Sequence, residues 1–235
     1  MIASPATILA VRVGAVRPLG PRATPSGFVK HAVTAPVAVD TAGLAGDGQA
    51  DRRVHGAPDK AVYAYPVDAY ARWRAHLPHH DAQLMPGSMG ENLVVAGLGD
   101  DDVALGDVVR IGSAVLQVTE PRQPCYKLGL AFGDAAMVRA FAQVGVSGWY
   151  YRVLEAGTIA AGDSIKRVAR PNPGWTVARL FALIVGGTFT PAELIELAGL
   201  EGASAKWRAK AARRAARVAR SPVGPEGFEP PTKPL

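Results

Sequence analysis

The sequence predicts a mainly β fold, namely a closed or nearly closed β-barrel with interspersed helices, followed by a small three-helix domain. From about residue 5 to residue 170, short runs rich in Val, Ile and Leu are bounded by Gly, Pro and Asp, which is typical of β-strands. Many short strands in this length favour a barrel, because closure removes exposed strand edges. After the segment RPNPGW, helical patterns replace the strands. We therefore expect domains at 1–172 and 173–220, and a disordered tail at 221–235.

The strand signals are distributed along the whole first domain. The predicted strands are 8–13, 35–39, 61–65, 92–95, 108–111, 115–119, 150–154 and 164–168. Gly112 and Ser113 lie between two of them and predict a hairpin turn. Two predicted helices, 67–77 and 134–144, interrupt the strands, because apolar residues recur there at helical spacing.

The C-terminal segment has its own helical signals. The predicted helices are 177–185, 191–197 and 204–219. Thr190, Pro191 and Glu193 follow the pattern of a capping box, with Thr as N-cap, Pro at the first helical position and Glu two residues later. The middle helix should therefore begin at Pro191.

Composition limits the classes of protein to which this chain can belong. Its 235 residues are 49% hydrophobic and 20% charged, which is ordinary for a globular protein in water. A single cysteine excludes an internal disulfide framework and an iron–sulfur cluster held by cysteines of this chain alone. The N-terminus has neither a basic leader nor about 20 consecutive apolar residues. We therefore expect a cytoplasmic protein with no membrane partner.

The net charge of +6 arises from one segment. Residues 1–203 contain 18 basic and 18 acidic side chains, whereas residues 204–220 contain seven basic ones and no acid. The basic residues follow helical spacing, so we interpret the segment as a docked surface helix rather than a nucleic-acid interface. The stripe could instead attract an acidic electron-donor protein.

Two glycine-rich segments contain candidate ligand-binding groups. Residues 45–65 form a polar loop that enters an apolar strand, a good place for a ligand site, although composition alone favours an ordinary solvated loop. Its polar side chains are Asp47, Gln49, Asp51, Arg52, Arg53, His55, Asp59 and Lys60. The second segment, PGSMGENLVV, places Gly90, Glu91 and Asn92 before a strand, where backbone amides can hold an oxyanion or phosphate.

The segment TEPRQPCYKL contains the only cysteine, Cys125. A lone cysteine is often a small buried hydrophobic residue. Arg122 and Lys127 lie close to it in sequence, however, and positive charges favour a reactive thiolate, which is also a soft metal ligand. Both interpretations remain open from the residues alone.

Several common sites are missing from the sequence. It has no Walker phosphate loop, no G-x-S-x-G elbow, no His-Glu-x-x-His zinc motif and no Rossmann fingerprint. The pair His79-His80 lies in a polar loop without a partner at metal-ligand spacing. The sequence therefore predicts no metal site at this pair.

Taken in order, five motifs resemble the MOSC-domain family, which is named for the C-terminal domain of molybdenum cofactor sulfurase. They are GLAGDGQADRRVHGAPDKAVYAYP, PGSMGENLVV, LGDVVRIG, TEPRQPCYKL and SGWYYRVLEAGTIAAGD. The chain is most similar to the YiiM-like subgroup, in which a three-helix domain follows the MOSC-type β-barrel. The resemblance covers roughly residues 5–220.

The resemblance implies a site for the molybdenum cofactor, with Cys125 as the metal ligand. Candidate cofactor contacts, chosen by motif position and chemistry, are Lys60, Gly90, Asn92, Arg122, Lys127 and Arg152. Candidate proton donors are His55, Asp59 and Glu91. The resemblance also implies a reductase that converts N-hydroxylated compounds, such as 6-hydroxylaminopurine, into amines.

The partners expected from this interpretation are a small N-hydroxylated substrate and a separate electron-donor reductase, because this chain has no redox-cluster ligands of its own. An alternative is a sulfur or cofactor carrier that uses a persulfide on Cys125. The sequence leaves the oligomeric state open, a homodimer included.

Overall fold

The computed structural model describes residues 6–50 and 58–220 of the chain. The strands of these residues are β1 (Thr7–Val13), β2 (Arg17–Leu19), β3 (Thr24–Ser26), β4 (His31–Val33), β5 (Val37–Asp40), β6 (Gly43–Leu44), β7 (Val62–Pro66), β8 (Leu93–Ala96), β9 (Val108–Ile111), β10 (Ala114–Pro121), β11 (Trp149–Glu155), β12 (Gly157–Ile159) and β13 (Ile165–Ala169). The α-helices are α1 (Ala69–His76), α2 (Tyr126–Phe132), α3 (Met137–Val144), α4 (Val177–Gly186), α5 (Pro191–Gly199) and α6 (Ala205–Arg220). Short 3-10 turns lie at Pro58–Lys60 and Pro78–His80.

The strands form one large sheet and two small ones. The large sheet has the order β13-β9-β10-β11-β7-β8-β1-β4, and its neighbours are antiparallel except for the parallel pair β7 and β8. One small sheet has the order β12-β5-β6, and β2 pairs with β3. The fold is therefore mixed α/β, with a mostly antiparallel sheet and a helical C-terminal region.

The large sheet does not close into the expected barrel through a strand ladder in the described part of the chain. Its ends are β13 and β4, and β4 pairs along the last three residues of β1, which leaves only the start of β1 for another neighbour. There, an isolated bridge joins Thr7 to Ser164, and the Ile8 N–H donates to the Asp163 carbonyl at 2.9 Å. The prediction of a closed or nearly closed barrel is thus corrected, for the described residues, to a sheet that is not closed, in which the start of β1 contacts the chain around the start of β13 through a few backbone hydrogen bonds.

The hydrophobic core consists of two clusters. The larger cluster joins side chains of the large sheet, such as Ile8 and Trp149, to side chains of α4 and α6, such as Leu180 and Trp207. The smaller cluster is rich in aromatic residues and lies around α1 and α3. Because α4–α6 bury side chains in the same cluster as the sheet, they are attached to it by apolar contact. The division at 172 stays a prediction.

Local signals at the C-terminal helices match the structure. The Thr190 side chain accepts a hydrogen bond from the Glu193 backbone, and the Glu193 side chain accepts one from the Thr190 backbone, which confirms the capping box and the start of α5 at Pro191. Helix α6 buries Trp207 and Ala211, whereas Val218 is exposed. Helix α6 therefore docks on the rest of the molecule from its start to Ala215, and its last residues are exposed.

Some elements differ from the sequence prediction. Helix α2, directly after Cys125, was not expected, because its seven residues are too few to show a clear helical period. The second predicted helix, 134–144, begins only at Met137, since Asp134 caps a turn by accepting from the Ala136 N–H at 2.8 Å. In the described residues, no helix is long and apolar enough to cross a lipid bilayer.

Candidate functional site

A cleft beside the central strands β7, β8, β10 and β11 brings together residues from distant parts of the chain. Its empty space, including the open mouth, is about 630 Å³. Among the residues that the structure describes, the charged side chains that line it are Lys30, Asp47, Lys60, Arg122 and Lys127. Four of these five are cationic, so the cleft suits an anionic ligand.

The thiol of Cys125 lies in the wall of this cleft. The chain leaves β10 at Pro121 and reaches Cys125 in an extended conformation, with φ −131° and ψ 138°, directly before α2. The Cys125 carbonyl accepts a hydrogen bond from the Leu128 N–H at 3.0 Å, whereas its side chain makes no capping bond to the helix. The side chain is half-buried, so the sulfur is available to a ligand in the cleft.

Arg122 forms a rigid cationic part of the wall. It is buried and donates from Nη1 to the Met89 carbonyl. Its guanidinium lies over the Tyr63 ring, at 4.7 Å from the centroid, and near Phe28, at 5.4 Å. The aromatic faces hold the positive charge in place without neutralising it.

Lys30 and Asp47 form an ion pair in the cleft. Asp47 is fixed by further bonds, because it accepts from the Gly14 N–H at 3.0 Å and from Asn92 Nδ2 at 2.9 Å. Burial lowers the pKa of Lys30, and this effect outweighs the opposing attraction of Asp47. Lys30 therefore gives up a proton more readily than an exposed lysine.

The other two lysines lie at the sides of the cleft. Lys60 Nζ lies 2.9 Å from Glu120 Oε1 and 5.4 Å from the centre of the Tyr150 ring. Lys127 Nζ donates to the Pro25 carbonyl at 3.1 Å. Lys60, Arg122 and Lys127, which the sequence analysis assigned to one cofactor site, all line this cleft, and their role there stays a prediction.

Gly90 and Asn92 also line the cleft, but their interactions differ from simple ligand contacts. Asn92 donates from Nδ2 to the Arg12 carbonyl at 3.2 Å, and its Oδ1 accepts from the Tyr63 N–H at 3.1 Å. Its amide therefore ties β1 to β7. Gly90 has φ +75°, and a Cβ at this position would lie 3.1 Å from the Phe28 ring. Glycine thus lets the turn pack against the wall of the cleft.

Glu91 does not line the cleft. It is 0% exposed, and its Oε1 accepts hydrogen bonds from Tyr70 Oη at 2.6 Å and from the Gly87 N–H at 2.5 Å. Burial raises the pKa of Glu91, and these hydrogen bonds only partly oppose the effect. The structure gives Glu91 a place in the protein interior rather than the proton-donor position that the sequence suggested.

Asp59 and Arg152 pair with each other, away from the cleft lining. Arg152 Nη2 lies 2.8 Å from Asp59 Oδ1 and donates to the Ala203 carbonyl at 3.3 Å. Asp59 Oδ2 accepts from the Ala205 N–H, in the first turn of α6, at 2.9 Å. A carboxylate is favourable at a helix N-terminus. The pair thus attaches α6 to the sheet, whereas the sequence suggested roles in catalysis and cofactor binding.

The remaining predicted proton donor, His55, lies outside the described residues, as do Asp51, Arg52 and Arg53. The sequence prediction missed Lys30, Tyr63 and Tyr150, which all line the cleft. Lys30 had one usable signal, since it is a single charge in the otherwise apolar segment GFVKHAV. Burial raises the pKa of Tyr63 and of Tyr150, so both phenols stay neutral near neutral pH.

The donor set of the cleft fits a phosphorylated cofactor whose metal takes a sulfur ligand. Its cationic side chains can neutralise a phosphate, and the Cys125 sulfur is a soft ligand suited to a transition metal. Tyr63, Tyr150 and Phe28 provide flat aromatic surfaces beside these groups. This fit rests on residue chemistry and on their shared position in one cleft.

The sequence matches two family models. Residues 51–166 match the MOSC domain, and residues 175–217 match the YiiM-like, 3-alpha helix domain. The first match contains Lys60, Asn92, Arg122 and Cys125 of the cleft. The second match covers helices α4, α5 and most of α6.

Curated and solved relatives agree with these matches. The chain is 33% identical over 187 residues to Protein YiiM of Escherichia coli. The aligned region covers 80% of this chain and 83% of that protein. It is 36% identical over 183 residues to a protein of Gibberella moniliformis named Reductase, and spans 32% of that protein's length. The crystal structure of YiiM from Geobacillus stearothermophilus has a TM-score of 0.74 at 30% identity, with 90% of this chain and 100% of that one covered. This chain therefore belongs to the MOSC-domain family, in its YiiM-like branch with the C-terminal three-helix region.

Proposed function

We propose that this protein is a reductase of small N-hydroxylated compounds that holds the molybdenum cofactor in the cleft. The observation that carries the proposal is the position of the Cys125 sulfur in a cleft lined by four cationic side chains. A relative named Reductase supports the reaction class, although the matched part is 32% of that protein. Compounds of the 6-hydroxylaminopurine type are the proposed substrates.

In this proposal, different residues of the cleft bind different parts of the cofactor. Lys60, Arg122 and Lys127 neutralise the phosphate of the pterin, and Gly90 lines the same cleft. Cys125 supplies one soft sulfur ligand. When bound, the cofactor would supply a redox-active metal centre that passes two electrons to the substrate. Asn92 orients Asp47, and through it Lys30, towards the ligand.

The proposed reaction consumes two protons and two electrons: R–NHOH + 2 H⁺ + 2 e⁻ gives R–NH₂ + H₂O. The N–O bond breaks, the nitrogen is reduced, and the oxygen leaves as water. Lys30 Nζ is the proposed proton donor, because it lies in the cleft with a lowered pKa and is held there by its ion pair with Asp47. A separate reductase supplies the electrons.

The substitution Cys125→Ser tests the proposal. A hydroxyl is a harder and poorer ligand than a thiolate. We expect purified Cys125→Ser protein from a molybdate-replete host to lose bound molybdenum and turnover of 6-hydroxylaminopurine by at least about 100-fold. The neighbouring Tyr126 is exposed and does not line the cleft, so Tyr126→Phe is the matched control and should retain both.

Three measurements distinguish the outcomes: molybdenum content, pterin content and the mass of the Cys125 side chain. Full activity in the Cys125→Ser protein would refute metal ligation by Cys125. If wild-type protein contains no molybdenum or pterin but has a persulfide on Cys125, the protein is a sulfur carrier and not a reductase.

A further inference from the structure

A group of potential metal ligands lies outside the cleft, on the 3-10 turn Pro78–His80 and the connection between α2 and α3. His79 and His80 are adjacent in sequence, and Asp134 comes from 54 residues further along the chain. His80 Nε2 lies 3.0 Å from Asp134 Oδ2, and His79 Nε2 lies 3.9 Å from the same oxygen. The fold thus supplies the partner that the spacing along the chain did not show.

Other side chains hold two of the three groups in position. His80 Nδ1 lies 2.7 Å from Gln83 Oε1, and this contact orients the ring with Nε2 facing Asp134. The Phe132 ring meets the His80 ring edge-on at 5.5 Å. Asp134 Oδ1 accepts from the Ala136 N–H at 2.8 Å, which leaves Oδ2 directed at the histidines. Such outer contacts are typical of histidine and carboxylate metal ligands.

The spacing of the donor atoms suits a small divalent ion. Zinc bonds to nitrogen and oxygen of about 2.0–2.2 Å in a tetrahedron place neighbouring donors roughly 3.3–3.6 Å apart. The two distances to Asp134 Oδ2, 3.0 and 3.9 Å, lie on either side of this value, and all three donors lie within 4.8 Å of one another. His79 is 63% exposed on its side chain, so it can rotate to complete the set.

We propose that His79, His80 and Asp134 form a zinc site with three protein ligands. Three ligands leave the fourth tetrahedral position to water. His80 and Asp134 are already held in position by their contacts to Gln83 and Ala136. Since α2 begins directly after Cys125, a bound ion would brace the far end of that helix against the turn Pro78–His80. None of the three ligands lines the cleft, so this site is independent of the proposed function.

The test is a zinc titration of the untagged full chain, followed by calorimetry and by metal analysis after gel filtration. The Cys125→Ser background removes the thiol as a competing zinc ligand. We expect one Zn²⁺ per chain, and a loss of zinc affinity of at least about tenfold in His80→Ala and in Asp134→Asn. Gln83→Ala, which removes only the orienting contact of His80, should lower the affinity about tenfold, less than either ligand substitution. Mg²⁺ should not compete, because it prefers oxygen ligands.

The matched control is His76→Ala, since His76 is an exposed histidine nearby that contacts Gln143 instead of Asp134. It should leave zinc affinity unchanged. As a readout that needs no variant, the imidazole resonances of His79 and His80 should shift with added zinc while those of His76 stay in place. Absence of binding to the wild type, or equal affinity in the wild type, His80→Ala and Asp134→Asn, would overturn the proposal.

Discussion

At the scale of single residues, burial decides which polar side chains can act on a ligand. Lys30 and Glu91 are both buried, but Lys30 faces the cleft and Glu91 faces Tyr70. Loss of solvation favours the neutral form of each group, so it lowers the pKa of Lys30 and raises the pKa of Glu91. For Lys30 this makes the release of a proton easier than from an exposed lysine. For Glu91 it makes ionisation unfavourable, so the ionised carboxylate lowers the stability of the folded protein.

The substitution Glu91→Gln should reveal that cost as a pH dependence of stability. The folded-state pKa of Glu91 is raised above its ordinary value of 4.5, so its favourable contribution is full below that value and is lost as pH rises through the folded-state pKa. Glutamine does not titrate. The free energy of unfolding of Glu91→Gln relative to wild type should therefore increase from about pH 4 to about pH 8, by about 1.4 kcal/mol for a pKa difference of one.

Glu193 provides a control of opposite sign. Hydrogen bonds from the Thr190 backbone and Arg179 lower the pKa of Glu193 in the capping box of α5. Its contribution is present above the unfolded-state pKa and is lost as pH falls through the folded-state pKa. Glu193→Gln should thus lower the free energy of unfolding more at neutral pH than at low pH.

Urea denaturation at a series of pH values tests the prediction for Glu91. If the free energies of unfolding of the wild type and Glu91→Gln change in parallel with pH, the buried charge at Glu91 is contradicted.

At the scale of elements, the helical region meets the sheet through a close backbone contact. Gly202 lies between α5 and α6 with φ +77°, and a Cβ there would approach the Gly106 Cα to 2.6 Å. The neighbouring Ser204 donates to Glu120 Oε2 at 2.5 Å and accepts from the Trp207 N–H at 3.3 Å. The start of α6 is therefore fixed to β10 by the Ser204 side chain. The lack of a side chain at Gly202 allows the close approach to Gly106.

The substitution Gly202→Ala should destabilise the fold. A left-handed backbone disfavours alanine, and the added carbon must push α6 away from the sheet. We expect a loss of about 2–4 kcal/mol in the free energy of unfolding, measured by urea denaturation. Gly199 at the end of α5 has no atom within 4 Å of its added carbon and no positive φ, so Gly199→Ala is the matched control. Its stability should stay within about 1 kcal/mol of wild type. Equal stability of the two variants would refute the contact.

At the scale of the whole molecule, the sheet and the C-terminal helices share one hydrophobic cluster. Trp207 of α6 is 2% exposed within it. A deletion of residues 204–220 would remove this side chain together with the cap of α6, and so would not isolate the role of the basic stripe. Substitution of exposed basic residues such as Lys206 and Arg213 is the better test of electron-donor docking.

We expect the sheet and helices α4–α6 to unfold in a single cooperative transition. Trp207→Ala should lower the free energy of unfolding by about 3–5 kcal/mol, because it leaves a cavity in the shared cluster. Hydrogen exchange of β10 and of α6 should then accelerate together. Val218→Ala, at the exposed end of the same helix, should change stability by less than about 0.5 kcal/mol. Two separate transitions, with β10 protection unaffected by Trp207→Ala, would instead support independent domains at 1–172 and 173–220.

The sequence by itself determined the family, the order of its motifs, the single thiol and several local features. Thr190 and Glu193 interact over three residues, so their capping box could be predicted from spacing alone. The position of Cys125 after a strand and among basic residues also follows from its own segment. Such features depend on neighbours along the chain.

Only the tertiary structure decided which distant groups meet. It paired Asp59 with Arg152, placed Glu91 in the interior, brought Lys30 into the cleft and set Asp134 beside His79 and His80. Among the residues that the structure describes, it also left the large sheet without a closing ladder, because β4 occupies the edge of β1. Burial and long-range pairing depend on how separate segments cross in space, and residue spacing in one sequence does not specify those crossings.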